Sequence, residues 1–338
     1  MKVQSLSDIY TSLGVKKGTI YVVPLIRARH ADSDYLFQLY KPFFGSSDYQ
    51  IESISIFKHY RFVVAALLNK EIVLHYHWLE FQDLRSLLGM PWKLLCIFLF
   101  KLLGGTLVWT VHNLEPHDQK WLSSHLRIHR WIAKKADVIH IHCSSSAILV
   151  AQKFKVKDQK LRLHPHPSFP SKKINRSDSI VFLNDHFKLN LKKETPIILL
   201  FGQISEYKNI EDTLDTIQKE NLDVQVIIAG TIKKGQELLG KRLEERSKNN
   251  SKINLIHTFI EDNEIPYFFN AADLCFFNYE KILTSGVVLL AQSYNKRIIA
   301  PNIGCLSELI SNEHVKLFSS DKEKRELLND VISTLSNE

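Results

Sequence analysis

The chain is predicted to be an α/β protein of two doubly wound domains facing a cleft. Three observations predict this. Short runs of Val, Ile, Leu and Phe alternate with amphipathic stretches, and the alternation occurs twice, once in each half. The 338 residues also suffice for two domains of ordinary size. A hydrophobic content of 45% against 24% charged residues belongs to a folded chain, not a disordered one.

Taken in order, Ile20 to Ile26 reads as the first strand, running into the polar loop Arg27 to Asp34, which carries Asp32. Tyr35 to Phe44 has helical apolar spacing. Ile51 to Phe57 (strand), Tyr60 to Asn69 (helix) and Ile72 to Tyr76 (strand) follow. The last ends in His75, His77, Trp78 and Glu80, and ligands of open α/β sheets gather at such strand ends. Residues 83–104 combine Arg85, Lys93 and Lys101 with many leucines and phenylalanines. The uninterrupted apolar run there is far short of the ~20 residues that span a bilayer. The helix over 84–103 is therefore expected to pack one face on the sheet and to offer the other to a membrane surface.

Thr106 to Val111 is the next strand and delivers the loop His112 to Asp118. A helix over 121–135, the strand Val138 to His142 and a serine-capped helix follow. His164-Pro165-His166-Pro167 can continue neither helix nor central strand, so the chain turns there. The first domain is placed at 1–168 and a polar linker at 169–194, with a short helical piece near Ser179 to Phe187. The second domain, 195–338, restarts with Pro196 to Gly202. It continues through a helix over 209–220, the strand Val224 to Ala229 and a helix over 235–248. The strand Ile253 to Ile256, a helix over 266–271 and the strand Asp273 to Phe277 come next. Thr284-Ser285-Gly286 opens a helix, Arg297 to Ala300 is a strand, and a last helix covers Ser320 to Asn337, a candidate to return to the first domain.

The formal net charge of +8 fits an anionic membrane surface or a phosphorylated small molecule. Nucleic acid is disfavoured, because no Arg-rich tract is interleaved with aromatics. Cys96, Cys143, Cys275 and Cys305 are widely spaced and are expected to be reduced core residues of a cytoplasmic protein. The N-terminus lacks a basic-then-apolar signal pattern.

Four places in the second half could together hold a nucleotide diphosphate. Gly202 ends a strand, with Gln203 after it and Lys208 just before a helix. Glycine lets backbone approach phosphate, and lysine supplies a point charge. Gly230 and Thr231 end the next strand, and Phe259 and Ile260 could flank a base. Tyr279 and Glu280 precede Thr284, Ser285 and Gly286, where a helix N-terminus suits a phosphate. A capped helix start, with Ser285 as N-cap, is the plain alternative. The chain lacks a Walker A sequence and a G-x-G-x-x-G motif, so NTP hydrolysis and NAD binding lose support.

These stretches resemble the GT-B glycosyltransferases, in particular bacterial exopolysaccharide and glycolipid enzymes of the xanthan-type β-mannosyltransferase kind. The resemblance is carried by His75 to Glu80, Val111 to Asp118, His164 to Pro167, Phe201 to Asn209, Ile282 to Gly286 and Ala300 to Leu309. It implies a Rossmann-like C-terminal domain that binds the sugar nucleotide and an N-terminal one that binds the acceptor. Lys208 matches the family's phosphate-contacting lysine, whereas Gln203 stands where relatives often carry arginine. Glu280 could stand for the first of two glutamates typical of retaining relatives. The second is absent, since 287–291 read Val-Val-Leu-Leu-Ala, and stereochemistry stays open.

Sugar transfer needs a stabilised leaving diphosphate and a proton acceptor for the attacking hydroxyl. Lys208 and the Thr284–Gly286 helix start meet the first need without a metal or a cofactor; the donor is a GDP- or UDP-sugar. His112, Glu115, His117 and Asp118 are the candidate bases. Asp32, His77 and Glu80 are candidate acceptor contacts. The histidine pairs lack an acidic third ligand, so no metal is expected. The expected function is transfer of a hexose, mannose first, to a lipid-linked saccharide at the inner face of the cell membrane, where the enzyme is peripheral. The rival readings are a sugar-nucleotide epimerase of the same fold and a non-catalytic sugar-nucleotide binder within an assembly complex.

Overall fold

A computed structural model describes residues 1–68, 70–81, 84–116, 121–309 and 314–337, which divide into two units, Met1–Pro167 and Ser168–Glu338. In the first, strands β1 (Gly18–Val23), β2 (Tyr49–Ser53), β3 (Ile72–Tyr76), β4 (Thr106–Thr110), β5 (Val138–Ile141) and β6 (Leu161–Leu163) form a sheet. Its order is β2-β1-β3-β4-β5-β6, and every pair is parallel. In the second, β7 (Ile197–Phe201), β8 (Gln225–Ala229), β9 (Ile253–Ile256), β10 (Leu274–Phe276), β11 (Arg297–Pro301) and β12 (Val315–Phe318) form another. That sheet runs β12-β11-β10-β7-β8-β9, again parallel throughout. Both are doubly wound, Rossmann-like sheets.

A central parallel strand covered by helices on both faces buries all its side chains, which is why β7 reads Ile-Ile-Leu-Leu-Phe without polar alternation. Successive residues still point to opposite faces. Ile197, Leu199 and Phe201 join one apolar layer of the second unit, with Ile227, Cys275 and Ile298 from neighbouring strands. Ile198 and Leu200 join the other, with Val226, Ile228, Leu274 and Ile299.

Residues 169–194 are not a linker. Helix Arg176–Phe187 starts on an N-cap, Asn175, whose side chain accepts from the Ser177 N–H at 2.8 Å. Ile180 and Leu183 lie in the second core with Phe169 and Leu191. Arg176 Nη2 lies 2.7 Å from Asp273 Oδ2, and the same carboxylate oxygen accepts from the Ile197 N–H at 2.8 Å. The segment reads as polar because lysines and other polar residues on both sides outnumber its short apolar run, Ile180 to Leu183. The last helix, Asp321–Asn337, likewise adds Leu328, Val331 and Ile332 to the second core. Strand β12 has no counterpart in the sequence reading. Cys96 and Cys275 are free and buried, whereas Cys143 and Cys305 are not free thiols, a departure from the expectation for all four.

Candidate functional site

The second sheet reverses its winding between β7 and β10, the switch point at which open α/β sheets place ligands. Gly202, directly after β7, has φ +89°, and Gly230, directly after β8, has φ +143°. A β-carbon on Gly230 would lie 2.4 Å from the Gly202 carbonyl oxygen, so only hydrogen fits. A β-carbon on Gly202 would lie 2.9 Å from Val287 Cγ2 and 3.1 Å from Lys208 Nζ. Lys208 and the first turn of helix Gly286–Ser293 therefore converge on one glycine.

Lys208 is only 8% exposed, and its ammonium donates to the Phe201 carbonyl at 2.9 Å. Burial lowers its pKa to about 7, so it is a cation short of counter-charge. Asn209 next to it adopts the left-handed conformation, φ 47°, that asparagine tolerates. Ser285 caps the Gly286–Ser293 helix through Val288 N–H, and its Oγ lies 3.2 Å from the buried Tyr279 hydroxyl. The capping reading is thus correct, and it leaves the first-turn N–H groups without partners inside the helix.

The structure gathers Gly202, Lys208, Gly230, Ser285 and Gly286 around this point, with Tyr279 behind the serine and Thr284 half-buried before it. Gln203 is exposed on the same loop, and Thr231 accepts from the Ile204 N–H at 2.8 Å. Phe259 is 47% exposed, but Ile260 belongs to the core. Glu280 is exposed, its N–H donating to Tyr207 at 2.9 Å. Two residues escaped the sequence reading. Asn278, just past β10, donates to Asp212 Oδ2 at 2.8 Å and could have been found by the strand-end rule. Ser205, in the loop from Gly202 to Lys208, is 1% exposed, and its hydroxyl has no hydrogen-bond partner among the described residues; no pattern marked it.

In the first unit the carboxyl ends of β3, β4 and β5 carry a histidine–tyrosine network. His140 Nε2 donates to the His164 carbonyl at 2.9 Å, which leaves Nδ1 to accept from the Thr110 hydroxyl at 2.9 Å. Thr110 in turn accepts from His75 Nε2 at 2.8 Å, so His75 Nδ1 accepts from the hydroxyls of Tyr10 and Tyr40, at 2.7 and 2.6 Å. Tyr40 also meets His77 Nε2 at 2.9 Å, and His77 Nδ1 meets His112 Nε2 at 3.2 Å. His142 Nδ1 shares the His164 carbonyl, and its Nε2 faces the Tyr35 hydroxyl at 3.0 Å. Carbonyl anchors thus set the tautomers of His140, His142 and His75. Burial first, and neighbouring imidazoles second, push His75, His77, His112 and His142 well below the usual histidine range. The network is neutral at physiological pH.

His112 is buried at the end of this network, stacked on Trp78 at 4.1 Å. Glu115 is half-buried and ion-paired with Lys153. His117 and Asp118 lie outside the described residues. Of the acceptor candidates, His77 is inside the network, Glu80 is half-buried and Asp32 is exposed.

Residues 181–338 match the family of group 1 glycosyl transferases. Over those residues the chain is similar to glycosyltransferase group 1 domains. That match begins inside helix Arg176–Phe187, consistent with the helix belonging to the second unit. Two GDP-mannose:glycolipid 4-beta-D-mannosyltransferases of Xanthomonas campestris pv. campestris are 24% identical over 249 and 252 residues, 70% of this chain. The chain spans 63% of their length. Among solved structures, Anabaena HepE in complex with UDP superposes with a TM-score of 0.64 at 12% identity, over 95% of this chain and 94% of that one. Sucrose-phosphate synthase from Thermosynechococcus elongatus gives 0.67 at 14% identity, over 95% and 90%. At such identities these likenesses show the fold, which is GT-B.

Proposed function

We propose that this chain is a metal-independent glycosyltransferase that moves a hexose from a GDP- or UDP-sugar to a lipid-linked saccharide at the inner face of a membrane. The observation that carries it is the convergence of the buried Lys208 ammonium and the Gly286–Ser293 helix start on Gly202, at the switch point of the second sheet. A diphosphate leaving group develops negative charge as the bond from sugar C1 to its oxygen breaks. A cation short of counter-charge and a helix N-terminus stabilise that charge without a metal. The attacking hydroxyl must lose its proton, and His112 is the candidate best supported. Burial keeps it neutral, with a lone pair to offer, and the contact with His77 orients its ring. Glu115 would first have to leave Lys153. Mannose is favoured because the Xanthomonas relatives, whose names state GDP-mannose and a glycolipid, are similar to this chain.

The test is a thermal-shift panel of GDP-, UDP- and dTDP-sugars. A donor at 100 times its dissociation constant adds about 2.7 kcal/mol of stability. A GDP- or UDP-sugar should raise the melting temperature, and no shift with any of them would refute the assignment.

A further inference from the structure

Helix Tyr60–Leu67 and helix Met90–Leu102 lie side by side in the first unit. Phe62 and Phe100 meet edge to face at 5.3 Å between them, and Trp92 Nε1 donates to the Ile56 carbonyl at 3.0 Å. Each helix buries one apolar face, through Phe62, Ala65 and Ala66 in the first and Cys96, Ile97 and Phe100 in the second. Each also carries an outer apolar stripe. On the first helix and its C-cap, Tyr60, Val64, Leu67 and Leu68 are 46–62% exposed. On the second, Trp92, Leu95, Leu99 and Leu102 recur at i, i+3, i+7 and i+10 and are 36–71% exposed. Such spacing defines one face of a helix, and a water-facing helix would carry polar residues there. Among the described residues, 13 of the 24 large exposed apolar side chains fall between Phe57 and Leu103, so the exposure is concentrated and not scattered.

We propose that these two outer faces form a docking surface for an anionic lipid bilayer. The proposal rests on the membrane-facing part of the functional reading and not on the transfer chemistry. Charge selects the occupant. Residues 54–70 and 84–105 contain no Asp or Glu and six basic residues, Lys58, Arg61, Lys70, Arg85, Lys93 and Lys101. Arg61 and Lys101 pair with Glu52 and Asp137, from outside those stretches. Lys135, from a third helix, sits over the Phe98 ring at 5.4 Å. A second copy docking through the same face would set cations against cations, whereas lipid phosphates complement them and the apolar side chains enter the acyl boundary. None of the helices among the described residues is long and apolar enough to cross a membrane, so the surface lies along the interface.

Flotation of the full chain with vesicles tests this. Wild type should float with phosphatidylcholine–phosphatidylglycerol vesicles, weaken with added salt and float far less with phosphatidylcholine alone. Leu67→Glu and Leu95→Glu should each reduce binding by about tenfold or more. Both sites are exposed, so melting temperature should hold, and Leu238→Glu, exposed in the second unit, should float as wild type. The proposal is overturned if wild type fails to float, if the paired Leu67→Glu, Leu95→Glu variant floats like wild type, or if phosphatidylcholine alone binds equally. Sedimentation showing a dimer that this paired variant dissolves, without flotation, would assign the face to a second copy instead. A thermal shift by sugar nucleotide with no flotation refutes this surface alone, and flotation with no shift refutes the transferase reading alone.

Discussion

Replacing Lys208 with methionine is expected to leave the protein more stable and less able to hold a nucleotide sugar. The lysine's pKa is lowered by burial to about 7, against about 10.4 for an unperturbed lysine. A drop of that size corresponds to about 4–5 kcal/mol of disfavoured charge. The unfolded chain binds this proton more tightly than the folded one. The penalty is therefore fully present below pH 7, relaxes as pH rises from about 7 to about 10.4, and vanishes above. Methionine keeps the length of the chain and removes the charge, giving up the bond to Phe201, about 1 kcal/mol. Lys208→Met should thus gain roughly 3 kcal/mol at pH 6, shrinking toward pH 10. A diphosphate at the site favours the ammonium, so wild-type donor binding should take up a proton and weaken as pH rises above 7. The variant should lose tens- to hundredfold in affinity, the worth of one charge-assisted bond. Urea melts at several pH values, with and without GDP- and UDP-sugars, read both effects. A variant less stable than wild type at pH 6, or one with an unchanged donor-induced shift, would refute the reasoning.

Gly230→Ala should cost about 2–4 kcal/mol and abolish the sugar-nucleotide shift, because the new methyl would collide with the Gly202 carbonyl at a φ that disfavours any side chain; calorimetry measures it. Tyr40→Phe removes the hydroxyl shared by His75 and His77 and should cost about 1–3 kcal/mol in thermal melts. Acid should unfold the first unit. His140, His129 and His166 have pKa values lowered to about 3, 4 and 4, so the unfolded chain takes up protons first and stability falls between about pH 6.5 and pH 3. All five tryptophans lie in that unit, so their fluorescence during an acid titration reports it.

The strands were legible because parallel sheets write themselves as unbroken apolar runs, and Ile72–Tyr76 and Ile253–Ile256 were placed to the residue. Strand β12, half-buried along most of Val315–Phe318, leaves a weaker trace. The helix over 176–187 reads as part of a linker because its short apolar run, Ile180 to Leu183, is outnumbered by flanking lysines and other polar residues. At the site, Gly202, Lys208 and Ser285 were legible from turn and cap chemistry. The partners of the histidines were not: Tyr10 and Tyr35 lie 65 and 107 residues from His75 and His142. Only the strand order brings such residues together, and no local pattern encodes it.

Each unit has a core and a six-stranded sheet of its own, and the family-model match, residues 181–338, falls within the second. A module that folds around its own interior can be inherited with little change while its neighbour is rewritten. On the proposed reading of function, such a division would let lineages exchange acceptors through the N-terminal half while the half proposed to hold the activated sugar stays in place.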